Sequence, residues 1–380
     1  MTSFPIKEIM TLKSGKYVFS AKYSNEKLTS YLIESSILFQ TINDLPILPN
    51  ISSQIQEELI KRSIFSTAAL EGNPLSELHV MKMLSEQTNI QETERAKQEI
   101  YNLKNAYNYL KTIKVSGNFL KITEKLIKDI HKSITKDIKY NDNIPGNFRN
   151  HVVKVGDINH GGIFTPPKIL RDITNLSKVF IEWINSQAMK DINPVIRAAL
   201  SHYHLGLIHP FGDGNGRTAR IVEALILQTA GIQYVPVMLS NFYYRNMNDY
   251  YWAFSKSIKN KNNDVTDFLE FVLKGMIESL KEIKDKIIYY IRVLTLKDFY
   301  LLLHSDKRIT HRQYDLLLLL IENTNFQFTF NDIQKSQSLK VLYRNVSPST
   351  IRRDIKKLLD LNLIKIVKEQ TYQINMNTLG

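Results

Sequence analysis

Residues 209–220 read HPFGDGNGRTAR, a glycine-rich loop followed by a helix that we expect over residues 217–230. Gly212, Gly214 and Gly216 permit positive φ angles, so the loop can fold tightly and turn several backbone N–H groups toward one point. The first turn of the helix adds N–H groups without helical partners and the positive end of the helix dipole. The stretch therefore predicts a binding site for a phosphate or a similar anion.

The charged side chains of this loop indicate group transfer rather than a simple turn. Arg217 and Arg220 share one face of the expected helix, and two guanidiniums beside a positive helix end are favourable when an anion binds there. Asp213 would repel that anion unless a hard cation such as Mg²⁺ lay between them. His209, at the loop entrance, is suited to act as a general base. Each feature alone would more often be structural, but together they predict phosphoryl or nucleotidyl transfer at a loop that lacks the Gly-Lys-Ser/Thr of a P-loop.

These residues also carry a family resemblance. The run His209–Arg217 resembles the Fic signature HPFx(D/E)GN(G/K)R at every defined position, and Arg220 matches the second arginine of that family. The resemblance implies a protein adenylyltransferase, which moves AMP from ATP to a hydroxyl side chain of a protein and releases diphosphate. It implies that His209 is the catalytic base, that Asp213 holds Mg²⁺ and that Phe211 is a buried anchor. The ATP-binding residues that it implies are Gly212, Gly214, Asn215, Gly216, Arg217 and Arg220 around the phosphates, and Tyr250 and Tyr251 near the adenosine, although such a tyrosine pair is also common in a half-buried core.

A β-hairpin is expected upstream of the loop. Residues 144–167 carry Gly, Asn and Pro around the alternating run HVVKV at 151–155, which is typical of two short strands and a turn. The segment 148–164 resembles the Fic flap, an element that pairs with an extended target segment through backbone hydrogen bonds. Ile163 and Phe164 would then face the target, although ordinary packing is an equally good explanation for Ile163.

A second motif lies at the end of a helix expected over residues 51–71. Thr67 and Glu71 share one face at i and i+4, and a carboxylate in the last turn opposes the helix dipole. The usual explanation is a solvated surface glutamate. The segment Thr67–Asn73, however, resembles the inhibitory motif (S/T)xxxE(G/N) of one class of Fic proteins. This resemblance implies that Glu71 pairs with Arg220 and blocks the γ-phosphate position.

Two other functions stay open from the sequence. In some relatives the inhibitory glutamate positions a water that removes AMP from a modified protein, so the same residues would serve a de-AMPylating hydrolase. The other candidate is a DNA-binding regulator whose Fic-like domain only senses a nucleotide. It predicts duplex binding without ATP turnover, and the intact loop motif argues against it.

The C-terminal part has a different organisation. Helices are expected at 311–322 and 331–337, and Ser347-Pro348 is a capping pair that begins a third helix. The runs LIKIV and TYQIN then predict a hairpin, so three helices and a hairpin indicate a winged helix-turn-helix domain over residues 300–380. One face of its last helix is basic, which favours DNA backbone contact or protein contact about equally. The basic residues of that face are Arg352, Arg353, Lys356 and Lys357.

Composition sets the outer limits. The 380 residues contain no cysteine and carry a net charge of +13, which excludes thiolate chemistry and allows an anionic partner such as nucleic acid. Apolar spacing is helical almost throughout, so we expect a mainly α protein with a helical Fic-type core, the hairpin flap and the C-terminal winged helix. The expected parts are an N-terminal helical region with the inhibitory helix (1–90), a catalytic core (91–290) and the winged helix (300–380). We further expect a cytoplasmic protein without a membrane segment, with self-modification and a homodimer implied by the resemblance alone.

Overall fold

The computed structural model describes residues 4–85, 93–113, 119–138, 143–232, 234–335 and 337–379. The chain divides into two compact units. The first comprises Met1–Asp44 and Leu48–Lys284, and the second comprises Leu45–Ile47 and Asp285–Gly380. Within the described ranges, no helix combines the length and the apolar character that crossing a membrane requires.

The first unit is built from helices with two small hairpins. Strands β1 and β2 pair antiparallel, as do β3 and β4. In chain order the elements are β1 (Ile6–Met10), β2 (Lys16–Ser20), α1 (Asn25–Asp44), α2 (Pro49–Ala69), α3 (Glu77–Leu84), α4 (Glu94–Thr112), α5 (Glu124–Ile134), β3 (Val155–Asp157), β4 (Gly162–Phe164), α6 (Leu170–Ile184), α7 (Gln187–Lys190), α8 (Pro194–Ile208), α9 (Asn215–Thr229), α10 (Val235–Arg245), α11 (Met247–Lys259) and α12 (Thr266–Ser305), which continues into the second unit.

Helices α8 and α9 form the centre of this unit. Both are buried along most of their length, and α9 packs against α2, α4, α5, α8 and α10. Asn193 caps α8 by accepting a hydrogen bond from the N–H of Val195 at 2.8 Å, and Pro194 fills the first helical position. The helix ends at Ile208 with His209 (φ 47°) as its C-cap, and α9 begins after Gly214 (φ 75°), so a left-handed residue lies at each end of the loop.

The structure shifts three elements that the sequence predicted. Helix α9 begins at Asn215 instead of residue 217, because Gly214 already makes the left-handed turn. The helix expected over 51–71 ends at Ala69, because the chain turns into left-handed Gly72 (φ 83°). The strand expected over 151–155 lies further along the chain, as β3 at Val155–Asp157. Its Gly156 lies so close to the carbonyl oxygen of Gly162 that a Cβ there would approach that oxygen to 2.6 Å.

The second unit has its own core of helices and a small sheet. Its elements are the end of α12, α13 (His311–Glu322), β5 (Gln327–Thr329), α14 (Phe330–Lys335), α15 (Gln337–Leu342), α16 (Pro348–Asp360), β6 (Ile364–Lys368) and β7 (Thr371–Ile374). The strands are antiparallel in the order β5-β7-β6. The expected hairpin is present as β6 and β7, whereas β5 was not expected. The apolar residues Leu316, Leu320, Phe328, Ile355 and Leu358 belong to the buried core.

Candidate active site

The loop between α8 and α9 is held by an aromatic anchor and an amide. Phe211 is fully buried and stacks on His131 with ring centroids 3.6 Å apart and an interplanar angle of 2°. Asn215 donates from Nδ2 to the carbonyl of Phe211 and accepts the N–H of Phe211 at Oδ1, both at 2.9 Å. Its side chain therefore braces the loop, and the expected burial of Phe211 is observed.

His131 on α5 contacts the loop and holds it in place. The sequence did not single it out. Its Nδ1 accepts the N–H of Gly146 and its Nε2 donates to the carbonyl of Asp213, each at 2.9 Å. Burial lowers the pKa of His131 to about 4, so the ring is neutral at pH 7 in the tautomer with the proton on Nε2. In the sequence, this residue is an ordinary histidine in the last turn of a helix, and only the fold brings it to the loop.

His209 has one ring nitrogen engaged and one available. Its Nδ1 lies 3.3 Å from the carbonyl oxygen of Gly206, and a carbonyl oxygen only accepts, so Nδ1 carries the proton and Nε2 carries the lone pair. Burial first, and the positive charge of Arg149 second, lower the pKa of His209 to about 4. The ring is therefore neutral at pH 7 and can accept a proton at Nε2.

The two arginines of α9 both face carboxylates. Arg217 Nη2 lies 3.0 Å from Asp213 Oδ2, and Arg217 Nη1 lies 3.9 Å from Glu99 Oε1. Asp213 Oδ1 accepts the N–H of Gly214 at 2.7 Å. Glu99 lies on α4 and was not predicted. Its other oxygen, Oε2, accepts a hydrogen bond from Asn73 Nδ2 at 2.8 Å.

Glu71 reaches the start of α9 from the turn that follows α2. Arg220 Nη2 lies 2.6 Å from Glu71 Oε1 and donates a second, longer hydrogen bond of 3.3 Å to the carbonyl of Thr67. The same carboxylate lies over Gly216, where an added Cβ would overlap Oε1. Burial alone would raise the pKa of Glu71, but Arg220 and Arg217 hold it below its usual value, so the group is an anion at pH 7. A carboxylate therefore lies at the α9 N-terminus, where the loop was expected to bind phosphate.

A cavity of about 550 Å³ opens beside His209. Its walls come from the loop and α9, from β3 and β4, and from α11. Of the residues singled out in the sequence, those lining it are Glu71, Ile163, Phe164, His209, Gly216, Arg220, Tyr250 and Tyr251. Thr67, Gly212, Asp213, Gly214, Asn215 and Arg217 are not among its lining residues.

The β3–β4 hairpin is tied to α11 at its tip. His160 Nδ1 lies 2.8 Å from Asp157 Oδ2, and His160 Nε2 lies 2.9 Å from Asn248 Oδ1. The hydrogen bond with Asp157 raises the pKa of His160, because it stabilises the charged ring. Ser255 Oγ also donates to the carbonyl of Gly161 at 3.3 Å. Ile163, near the hairpin's end, remains 54% exposed on the cavity wall.

A buried polar network lies behind the tyrosine pair. His202 Nδ1 donates to Glu223 Oε2, and His202 Nε2 lies by the Tyr250 hydroxyl, each at 2.9 Å. The Tyr243 hydroxyl donates to Glu223 Oε1 at 2.9 Å, and its ring stacks on that of Tyr250. Tyr250 is thus a buried, hydrogen-bonded residue, whereas Tyr251 is partly exposed. The sequence did not mark His202, Glu223 or Tyr243, which look like ordinary positions of buried helices.

The residues around Asp213 fit a single-carboxylate Mg²⁺ site. The Asp213 side chain is 35% exposed, and a carboxylate is a ligand type that Mg²⁺ prefers. Within the residues that the structure describes, no cluster of three or more His, Asp or Glu side chains is placed to hold a metal. This donor set suits an ion that takes most of its ligands from substrate phosphates and water.

Comparison with known proteins agrees with this architecture. Residues 121–227 match the model of the Fic/DOC family. The chain is 30% identical over 226 residues to proteins named "Protein adenylyltransferase Fic" from Aedes aegypti and Drosophila willistoni, an alignment that covers 57% of this chain and 40% of each relative. The chain thus spans less than half the length of these curated relatives.

Solved structures share the fold. A Fic family protein from Desulfovibrio desulfuricans G20 superposes with a TM-score of 0.58 at 17% identity, over 92% of this chain and 95% of that one. Fic-1 (residues 134–508) from C. elegans superposes with a TM-score of 0.54 at 23% identity, over 68% of this chain and 72% of that one. The helical core is therefore a Fic fold. The matched family model spans the loop with His209, so residues 121–227 of this chain are similar to a Fic/DOC domain.

Proposed function

We propose that this protein transfers AMP from ATP to a hydroxyl side chain of a protein and releases diphosphate. The observation that carries the proposal is the position of His209. Its side chain, with an unprotonated Nε2, lines the same 550 Å³ cavity as Arg220 and Gly216. A base, an anion-binding helix end and a nucleotide-sized space thus meet in one site. The matching relatives named as protein adenylyltransferases support the same activity.

His209 acts as the base in this proposal. Its Nε2 takes the proton of the target hydroxyl while that oxygen attacks the α-phosphorus, and the bond to diphosphate breaks. A base with a low pKa is a weak proton acceptor, but it is unprotonated over the whole physiological range. The backbone N–H groups of Asn215 to Arg217 and the guanidiniums of Arg217 and Arg220 stabilise the charge on the phosphates. Tyr251 and the buried Tyr250 form the wall for the adenosine.

Asp213 would hold the Mg²⁺ ion that accompanies ATP. The bound ion would neutralise phosphate charge and support the departure of diphosphate. Arg217, at 3.0 Å from the same carboxylate, keeps Asp213 oriented and balances its charge.

Glu71 acts as a built-in inhibitor in this proposal. Its carboxylate lies over Gly216 and is paired with Arg220, so it competes with the terminal phosphate of ATP for both the helix end and the guanidinium. Productive ATP binding then requires that Glu71 leave. The wild-type activity is accordingly low.

A second candidate is hydrolysis of AMP-modified protein. Glu71 is 26% exposed in its side chain and lines the cavity that contains His209, so its carboxylate could orient a water toward a bound adenylyl group. Incubating the wild-type protein and Glu71→Gln with an AMP-modified target separates the two activities. Hydrolysis predicts AMP release by the wild type only.

We propose a winged helix-turn-helix for the C-terminal domain, with DNA as its partner. Helix α16 buries Ile351, Ile355 and Leu358 and exposes its basic residues on the other side. Arg352 also lies over the ring of Phe330, with 4.8 Å between Cζ and the centroid. Duplex binding that weakens steeply with salt, and that is lost in Lys356→Glu/Lys357→Glu, would support DNA over protein contact.

The experiment that tests adenylyl transfer uses α-labelled ATP with Mg²⁺. Wild type, Glu71→Gly and Glu71→Gly/His209→Ala are incubated, and intact mass is measured. The proposal predicts a mass gain equal to AMP in Glu71→Gly, less in wild type and none in the double variant. A phosphate-sized gain, or labelling that survives removal of His209, would reject it.

A further inference from the structure

Arg149 is a buried cation in the segment between α5 and β3, outside the loop motif. Its side chain is among the least exposed of the charged residues, with the whole residue at 3%. The guanidinium donates from Nε to the carbonyl of His209 at 2.8 Å, from Nη1 to that of His151 at 2.6 Å and from Nη2 to that of Pro167 at 2.8 Å. One side chain thus connects the active-site loop with the chain on both sides of the β3–β4 hairpin.

The backbone of Arg149 makes a further contact with the loop. Its N–H donates to the carbonyl of Pro210 at 2.9 Å, beside the bond from Nε to His209. Two consecutive carbonyls of the loop entrance are therefore held by one residue. His209 has a left-handed backbone (φ 47°), which is unfavourable for a residue with a Cβ, so such external bonds are what maintain its conformation.

The guanidinium remains charged in this position. Burial lowers the pKa of Arg149 to about 10, still well above neutral pH. The charged groups that act on the His209 ring are Arg149, which disfavours its protonation, and Glu71 and Asp213, which favour it. Loss of Arg149 would remove a positive charge that disfavours protonation, while burial would still hold the pKa of His209 below its ordinary value.

We propose that Arg149 is a positioning residue that holds the base in its working geometry and couples it to the hairpin, so that His209 is correctly placed when both ends of β3–β4 are docked. This inference rests on the proposed function. Arg149 touches neither the nucleotide site nor the target site, and it acts through the backbone of His209 and through the hairpin ends. A lysine would replace Arg149 only in part, because it has a single ammonium in place of a planar guanidinium with three bonded nitrogens.

The test compares Arg149→Met and Arg149→Lys with Arg197→Met, each in the Glu71→Gly background. Arg197 is a matched control, since it is 4% exposed, its pKa is also lowered to about 10 by burial, and it also donates to carbonyls, those of Ile184 and Leu120. It lies on α8, twelve residues before His209, and does not line the cavity. Both Met variants lose a buried guanidinium, so a general loss of stability appears in both.

Three measurements are made on each variant. NMR titration of the His209 ring gives its pKa, hydrogen exchange gives the protection of the β3–β4 amides, and adenylyl transfer gives kcat and KM for ATP. We expect Arg149→Met to raise the His209 pKa, to reduce hairpin protection and to lower kcat by roughly 10- to 100-fold with KM for ATP little changed. Arg149→Lys should recover part of the kcat. Arg197→Met should leave the His209 pKa and hairpin protection as they were.

The proposal is overturned if the His209 pKa and hairpin exchange are the same in Arg149→Met as in Arg197→Met. Equal losses of kcat in these two variants would also overturn it, because they would indicate a structural role alone. If the parent shows no adenylyl transfer, the proposed function fails, while the titration and exchange data still decide whether Arg149 positions His209.

Discussion

Arg220 Nη2 and Glu71 Oε1 lie 2.6 Å apart, although the two residues are separated by 149 positions in the chain. The pair joins the turn after α2 to the first turns of α9. Because the guanidinium is nearly fully buried and the carboxylate is partly exposed, the carboxylate is the partner that can leave. A buried Arg without its carboxylate would attract another anion to the same place.

Replacing Glu71 with glycine should raise self-adenylylation severalfold or more. The change removes the carboxylate that competes with phosphate for Arg220, while the left-handed Gly72 beside it still ends α2. Incorporation of label from α-labelled ATP measures the effect. The control is Glu58→Gly in α2, the helix before that turn, which breaks a partly exposed pair with Arg62 and should leave the rate unchanged. An unchanged rate in Glu71→Gly would reject inhibition by this residue.

Gly216→Ala should be destabilising only while Glu71 is present. A Cβ at this position overlaps Glu71 Oε1, and otherwise meets Arg220 Nη1 at 3.1 Å, which a flexible side-chain end can relieve. We expect a cost of about 1–3 kcal/mol in the wild type. In Glu71→Gly the cost should vanish or become a gain of about 0.5–1 kcal/mol, since alanine favours the helix. Denaturant unfolding of the four proteins gives the coupling energy, and additive effects would mean that the carboxylate does not rest on Gly216 in solution.

The tip of the β3–β4 hairpin should loosen as pH rises. The pKa of His160 is raised, chiefly by its hydrogen bond with Asp157 and then by that with Asn248. A group whose pKa is higher in the folded state than in the unfolded state stabilises the folded state when it is protonated. This stabilisation is complete at a pH below the unfolded-state pKa, and it is lost as the pH rises through the folded-state pKa. Hydrogen exchange of residues 157–162, corrected for intrinsic rates, should therefore show more protection near about pH 6 than near about pH 9. His160→Gln should show little difference, and a wild type without a difference would contradict the tie to α11.

Mild acid should destabilise the fold around His204. This residue lies under the β1–β2 hairpin, its ring packs on Phe19 and Trp183, and burial lowers its pKa to about 4. Between pH 6.5 and 4, His204 binds a proton in the unfolded chain but not in the folded state. The free energy of unfolding therefore decreases as the pH falls below 6.5, by up to roughly 3 kcal/mol. Denaturation followed by tryptophan fluorescence should have a lower midpoint near about pH 5 than near about pH 7. His204→Gln should weaken this pH dependence; the same slope in both proteins would assign it to other groups.

The sequence singled out candidate site residues only where they belong to local motifs. His209, Glu71 and Arg220 each belong to a contiguous motif whose residue types have a chemical reason. His131 and Arg149 support the same loop from helices and segments far away in the chain, and nothing near them distinguishes them from ordinary buried or surface residues. Their roles depend on tertiary packing, which spacing alone does not contain.

The same limit applies to the fold. The helices expected over 51–71, 217–230 and 311–322 lie within two residues of these bounds, because their apolar spacing is regular. The β1–β2 hairpin was missed, since its pairing depends on an anchor elsewhere. Asp172 on α6 accepts the N–H groups of Leu12 and Lys13, at 2.8 and 3.0 Å, in the turn of that hairpin.

Glu99 couples the turn that contains Glu71 to the loop that contains Arg217. One of its oxygens holds Asn73, two residues beyond Glu71, and the other faces Arg217 in the phosphate loop. A ligand that binds Arg217 would weaken the contact of Arg217 with Glu99, and with it the hydrogen bond between Glu99 on α4 and Asn73 in the turn after α2. Conversely, a displacement of that turn would make Arg217 more available to the ligand. Filling of the loop and departure of the glutamate are then thermodynamically reciprocal, each promoting the other by an equal factor.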